Sequence, residues 1–406
     1  MEHDLSNLLT HCIHCGFCLE ACPTFAATGN ELESPRGRIY LVRSAQEGQL
    51  RWQEDVKPHL DLCLGCRACE RACPSGVEYG AILEMARDTI ERQQPSASKA
   101  ALLKLTTTKS LLKLQLTAGH FLRVKRIPGA ISGWISGESS QVDLPHPQLS
   151  NTLPPLNDSE LPPIIGEVYF LNGCAMDVLH SRVHECSKRL LRRSGYQVRE
   201  VQQGCCGALH AHNGHLEDAK RMASDLVSRF SEPIPVLVDS AGCGSTMKDY
   251  GSLAPGGEVF SKRVFDISEF LAKQNLGQQL TKSAGFSKRI AYHEACHLVH
   301  GQRISKQPNA LIRAIPGATV VDLPESTVCC GSAGIYNVCQ PKMARLLLEQ
   351  KWEHIESCRP NIVATGNPGC HTWIAQGSQE RGGQVLVLHT AELLEASFIG
   401  IDHFLT

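Results

Sequence analysis

A chain of 406 residues is longer than one ordinary core requires and implies two to four domains. Its 42% hydrophobic and 20% charged residues are those of a folded globular protein, which excludes disordered and collagen-like chains. A net charge of −1 and a pI near 7.0 exclude a general electrostatic field for nucleic acid, so any basic binding surface must be local.

The opening stretch MEHDLSNLLTHC has no basic run followed by an apolar one, and no segment reaches the about 18 apolar residues of a spanning helix. Nineteen cysteines in such a chain predict a reducing, cytoplasmic setting, where clustered thiols are metal ligands or redox groups rather than disulfides.

Cysteines come first in chain order. CIHCGFCLEACP, Cys12 to Pro23, returns as CLGCRACERACP, Cys63 to Pro74. Between them Ile39, Val42 and Ala45 mark a helix; after them Ile82, Leu83, Ala86 and Ile90 share one helical face. A structural zinc site uses two separated CxxC knuckles, whereas C-x2-C-x2-C-x3-C-P is the bacterial ferredoxin signature. Its double occurrence predicts two [4Fe-4S] clusters in a small, mainly helical region, where metal binding makes up for a shortage of apolar bulk.

From Gln93 to Gly137 there is no acidic residue, while Lys99, Lys104, Lys109, Lys113, Arg123, Lys125 and Arg126 alternate with leucines. Three readings stand open for this segment: contact with an anionic membrane surface, docking of a partner subunit, or a solvated helix leading into a linker. The Pro- and Ser-rich stretch from 137 to 163 then reads as a tether.

Beyond it the chain repeats. VYFLNGCAMD is answered by RIAYHEACHL, QQGCCGAL by STVCCGSAG, and VLVDSAGCGSTMKDYG by IVATGNPGCHTWIAQG. The matching cysteines Cys174 and Cys296, Cys205 and Cys329, and Cys243 and Cys370 lie 122, 124 and 127 residues apart, which indicates a duplicated unit. Buried strands are predicted at Val168 to Leu171 and Val236 to Val238, with helices at His180 to Arg193 and Leu216 to Phe230. In the second unit the strands fall at Ile290 to Tyr292, Thr319 to Leu323, Ile362 to Ala364 and Val385 to Leu388. The class is therefore α+β overall: a small helical ferredoxin-like domain (1–92), a basic segment and linker (93–163), and two α/β lobes (164–284 and 285–406) with cysteines at strand carboxyl ends.

Each lobe supplies four repeated cysteines: Cys174, Cys205, Cys206 and Cys243, then Cys296, Cys329, Cys330 and Cys370. The vicinal pair followed by glycine resembles the cysteine-rich CCG domain of heterodisulfide reductase subunits and of iron-sulfur subunits of 2-hydroxyacid dehydrogenases. That family's motif ends in CxxC and binds an iron-sulfur centre or zinc. Here Ser240 and Asn367 stand three residues before the last cysteine, and Thr246 and Trp373 three after it. A further cluster, zinc and an empty thiol pocket thus remain open for each lobe. Cys186, with Val183 and Leu190, and Cys339, with Met343 and Leu346, read as buried structural thiols, and Cys358 is read alike.

Histidines flank these motifs at His210, His212, His215, His293, His297 and His300. HEACH formally matches H-E-x-x-H, but it falls at a strand end where the other lobe reads LNGCAM, which argues against a metalloprotease. The sequence has no GxGxxG, P-loop or GxSxG motif, so no catalytic residue is assigned and the substrate-reacting group is expected on another subunit.

The order of parts, with the stretches CIHCGFCLEACPTF, ESPRGRIYLVR, CLGCRACERACPSGVEYG, GCCGALHAH and CCGSAGIYN, resembles the iron-sulfur subunits of glycolate dehydrogenase, also called glycolate oxidase. The resemblance implies flavin-binding partner subunits that oxidise glycolate or D-lactate, a quinone or other acceptor, and a cytoplasmic position that extends to the inner face of the inner membrane. Likeness to two-cluster ferredoxins implies crossed ligation: Cys12, Cys15, Cys18 and Cys73 on one cluster, Cys22, Cys63, Cys66 and Cys69 on the other. Iron-sulfur subunits of anaerobic glycerol-3-phosphate dehydrogenase, lactate-oxidation and heterodisulfide reductase complexes share the general order. A redox sensor or cluster carrier is the alternative from a different class, and the chain offers it no DNA-reading helix on a basic domain.

Overall fold

The computed structural model describes residues 4–121, 126–127, 142–143, 153–157, 159, 161–274 and 276–405. Arg123, Lys125 and most of the stretch from 137 to 163 lie outside these residues.

Short helices carry the N-terminal region. The helix Pro35–Gln46 starts where the Ser34 hydroxyl accepts from the Gly37 N–H at 3.0 Å, with Pro35 at its first position. It buries Ile39, Leu41, Val42 and Ala45 against Ile82, Leu83, Ala86 and Ile90 of the helix Tyr79–Gln93. Arg87, Asp88 and Glu91 of that second helix, which lie off the apolar face its pattern marks, are buried too. The lobes cover Arg87 and Asp88: the Arg87 guanidinium donates to the carbonyls of Leu60, Cys63 and His212, and an Asp88 carboxylate oxygen accepts from the Leu216 N–H.

A two-residue antiparallel ladder joins β1 (Arg126–Ile127) to β2 (Val142–Asp143). The first lobe contains β3 (Gly166–Phe170), β4 (Tyr196–Arg199), β5 (Val236–Val238) and β6 (Val264–Asp266), all parallel, in the order β4-β3-β5-β6. The second contains β7 (Arg289–His293), β8 (Thr319–Val321), β9 (Ile362–Thr365) and β10 (Leu386–His389) in the order β10-β9-β7-β8, also parallel. Read from the other edge, this is the same topology. Two strands, β4 and β6, escape the sequence reading: β4 is only half-buried, and β6 has three residues.

The lobes share one core. Helix Ser181–Arg193 of the first lobe lies against helix Thr390–Ile399 of the second, with Val183, Cys186, Leu190 and Leu191 in one cluster with Leu393, Leu394 and Ala396. Glu395, fully buried, accepts from Arg189 at 2.7 Å and Arg193 at 3.0 Å across that interface. A buried carboxylate needs such partners, so the pairing fixes how the lobes meet.

Candidate metal centres

The loop from Cys12 to Cys18 and the loop from Cys63 to Cys69 have the same backbone. His14 and Gly16 in the first, and Gly65 and Arg67 in the second, take positive φ of 53°, 93°, 63° and 62°. Two of these four residues carry side chains that disfavour the left-handed region, so the conformation is held by something other than local preference. Alternating handedness turns successive N–H groups to one side, a concavity suited to an anionic iron-sulfur core with its thiolates. The Gly65 N–H accordingly faces Cys63 Sγ at 3.5 Å.

The loops bring the eight thiols into two sets. Cys12, Cys15, Cys18 and Cys73 line one small void together with Cys69, Ile39 and Val77. Cys22, Cys63, Cys66 and Cys69 line a second. Pro23 opens the helix Pro23–Thr28 directly after Cys22, which turns the chain away from the loop that holds Cys12, Cys15 and Cys18. The residues present fit two [4Fe-4S] clusters in ligand type, number and backbone polarity.

The two sites differ in exposure. Ile13 and Phe17, beside the first, are 67% and 70% exposed, and Cys15 is exposed as well. The second lies inside, where Arg38 (1% exposed) reaches Cys22 Sγ at 4.0 Å and Thr24 Oγ1 at 3.1 Å and pairs with Glu33 at 2.8 Å. Burial alone would favour its neutral form, but Cys63, Tyr79, Cys22 and Glu33 hold the guanidinium charged. In return, although burial pushes the Cys63 thiol up, Arg38 and Arg87 bring it below its usual range, helped by the Tyr79 hydroxyl donating at 3.5 Å. Neither Arg38 nor Tyr79 stands out in the sequence, since each is an ordinary member of a helical pattern.

Past the second site a cavity of about 620 Å³ opens between the helical region and both lobes. Cys63 lines it, as do Cys174, Cys205, Cys206 and Cys243 of the first lobe and Cys296, Cys329 and Cys370 of the second. The thiols follow β3, β4, β5, β7, β8 and β9 at the carboxyl ends of the sheets, next to the point where each strand order reverses. In the first lobe the Cys174 thiol donates to Cys205 Sγ at 3.4 Å. That bond, with one from Cys206, brings Cys205 well below the ordinary thiol range and raises Cys174. In the second lobe burial and neighbouring thiols keep Cys296, Cys329 and Cys330 high. Asn367, where the family pattern has another cysteine, donates to Cys370 Sγ at 3.7 Å and accepts from the Gly242 N–H of the other lobe at 3.1 Å.

The Cys-Cys-Gly glycine is required by geometry. Gly331 has φ +90° and a Cβ there would stand 2.5 Å from the Ala344 carbonyl oxygen, backbone that cannot swing aside. Gly331→Ala is expected to cost at least about 1–3 kcal/mol, visible as a lowered melting temperature; an unchanged melting curve would contradict the close approach.

These features match known proteins. Residues 8–77 fit the 4Fe-4S dicluster domain, and residues 168–248 and 290–375 fit the cysteine-rich domain. The chain is 31% identical over 420 residues to the probable glycolate oxidase iron-sulfur subunit of Bacillus subtilis (strain 168), covering 95% of this chain and 93% of that protein. It is also 31% identical over 410 residues to the glycolate oxidase iron-sulfur subunit of Escherichia coli (strain K12), covering 97% and 95%. The chain belongs to the glycolate oxidase iron-sulfur subunit family. A partial likeness, 24% over 229 residues, links it to lactate utilization protein A of Oceanobacillus iheyensis, covering 54% of this chain and 93% of that protein. As a family member it is an iron-sulfur, electron-transfer component of an oxidoreductase.

In this iron-sulfur subunit two sequence expectations, those for Cys339 and Cys358, need correction. Cys339 is not a buried thiol on a stripe with Met343 and Leu346: it ends the short helix Tyr336–Cys339, Gln340 breaks the path into the next helix, Leu346 is 41% exposed, and the thiol lines the large cavity. Cys358 is half-buried at a helix end, donating to the Asp322 carbonyl at 3.4 Å. Cys186 is fully buried beside Val183 and Leu190 in the shared core. HEACH does not present two histidines on one helix face, because His293 ends β7 and His297 opens a separate turn, with Nδ1 3.5 Å from Cys296 Sγ.

The basic segment is partly spoken for. Lys99 pairs with Glu91 at 2.6 Å, and Lys109 with Asp177 at 3.1 Å. Helices Ala97–Thr107 and Lys109–Phe121 turn Leu102, Leu112 and Leu116 into the cavity as its apolar wall. Lys104 and Lys113 remain exposed. Among the described residues no helix is long and apolar enough to cross a membrane.

Proposed function

We propose that this chain receives electrons from a flavin-bearing dehydrogenase subunit that oxidises glycolate, and passes them inward to a quinone or another acceptor. Cys12, Cys15, Cys18 and Cys73 would hold one [4Fe-4S] cluster and Cys22, Cys63, Cys66 and Cys69 the other; when bound, they supply one-electron transfer. The observation that carries this reading is the gradient of exposure between the sites. Ile13 and Phe17 give the first site an apolar rim at the surface, suited to a docked partner, whereas Cys66 of the second packs against the buried hydrophobic cluster that holds Cys296 and Cys329. Arg38 balances the charge of the inner site.

The division into units 1–92, 93–163, 164–284 and 285–406 belongs to the same reading, as do a cytoplasmic location and contact of Lys104 and Lys113 with an anionic membrane face. D-Lactate is the second substrate of choice. The test is anaerobic purification from the native host and dye reduction with glycolate, D-lactate and glycerol 3-phosphate side by side. A co-purifying flavoprotein and fastest reduction with glycolate are expected. A chain that purifies alone and is reduced by none of the three would replace this reading with a carrier or sensor.

A further inference from the structure

His293 closes β7 and is completely buried, yet neither ring nitrogen makes a hydrogen bond; the Ser326 backbone lies near without the geometry of one. A core histidine left so is costly, and buried polar groups nearly always have partners. Its neighbours are the Cys330 and Cys370 thiols. Among the described residues these three make the one group of His, Cys, Asp or Glu donors whose ligand atoms all lie within 4.8 Å of one another. Around a single tetrahedral ion with bonds of about 2.0–2.3 Å, donors stand roughly 3.3–3.8 Å apart, so slight closure suffices. The ferredoxin-type quartets, whose spacing is the signature of clusters, contain no trio as tight, and neither does the first lobe.

Charge points the same way. Lys351, only 2% exposed, faces Cys329, Cys330 and Cys370 from helix Pro341–Cys358 and donates to the Glu325 carbonyl at 2.6 Å. A divalent ion with three thiolates and a neutral imidazole carries one negative charge, which a buried ammonium balances. The first lobe has neither group. Counting back from Cys296 to Cys174 places Leu171 opposite His293. The matching contacts of Gly331 with Ala344 and of Gly207 with Ala219 place Leu226 opposite Lys351, and both leucines are buried.

We propose that His293 is the nitrogen donor of a single zinc ion held in the second lobe with Cys329, Cys330 and Cys370, and that the first lobe is built for no equivalent ion. The repeat has thus diverged: a closed N/S site in one lobe, an all-thiol site in the other. This holds whichever substrate feeds the chain.

The test uses the full chain, purified anaerobically. We expect about one zinc per chain beside its iron, and X-ray absorption at the zinc edge with sulfur and one nitrogen in the first shell. His293→Ala is expected to lose the zinc while iron content and the paramagnetic signals of the reduced clusters stay unchanged, and His293→Cys to restore it with an all-sulfur shell. The proposal is overturned by a wild-type chain without zinc, by a wild-type shell of sulfur alone or with water, or by zinc that survives His293→Ala. Iron lost together with the histidine would also overturn it, by making His293 a cluster ligand. The wild-type spectrum decides even if the variants fail to fold.

Discussion

Cys66→Ser is expected to lower the iron content by about four per chain and to abolish dye reduction by the assembled enzyme, while the flavin of the partner remains in place. Cys66, in the second ferredoxin-type loop, packs against the buried hydrophobic cluster that holds Cys296 and Cys329, so its iron-sulfur cluster would stand between the exposed first site and the cavity. Cys186→Ala is the control. That thiol belongs to the core shared by the lobes, and its loss should affect stability without removing iron. Iron analysis and activity of the two variants, measured together, separate ligation from packing. Retained activity in Cys66→Ser would sink the assignment of that thiol.

Arg38→Met should be the most damaging substitution outside the cysteines. It leaves the Glu33 carboxylate, 7% exposed, without its 2.8 Å partner, and the thiols of Cys22 and Cys63 without their nearest buried cation. Removing one partner of a buried pair costs about 3–5 kcal/mol, comparable with the margin of a small domain. The inner cluster should then be stripped by chelator far faster than in the native chain. Where it survives, its reduction potential should fall, because a positive charge that favours the added electron has gone. Arg38→Lys restores charge but not the fork that joins His59, Thr24 and Glu33, so partial recovery is expected. Unchanged melting and unchanged chelator resistance in Arg38→Met would show that the guanidinium is dispensable.

Much of this was legible in the chain. The cysteine spacing names its own metal chemistry, since four soft ligands at fixed short steps can close on a cluster whatever surrounds them. The near-constant offsets of Cys174, Cys205 and Cys243 from their counterparts expose the duplication. Periodicity places the helices Pro35–Gln46, Tyr79–Gln93 and Ser181–Arg193 within a few residues, because in each a continuous apolar face meets a core. Periodicity fails at β4 and β6, where strands of four and three residues leave too short a pattern, and at Cys339, where a helix break changes which way the thiol points.

What the sequence by itself determined is the cysteine inventory and the repeat, both carried by local spacing. Only the tertiary structure decided the company each thiol keeps. Docking of the helical region against two lobes buries Arg87 and Asp88, which lie off the apolar face that local pattern marks, and sets Cys66 near Cys296 from 230 residues away. Close packing of β7 and β9 with the Cys-Cys-Gly turn sets His293 beside Cys330 and Cys370, and helix Pro341–Cys358 adds the Lys351 charge. These are contacts between segments distant in the chain, where neither propensity nor period carries information, and they give two similar sets of four cysteines different surroundings.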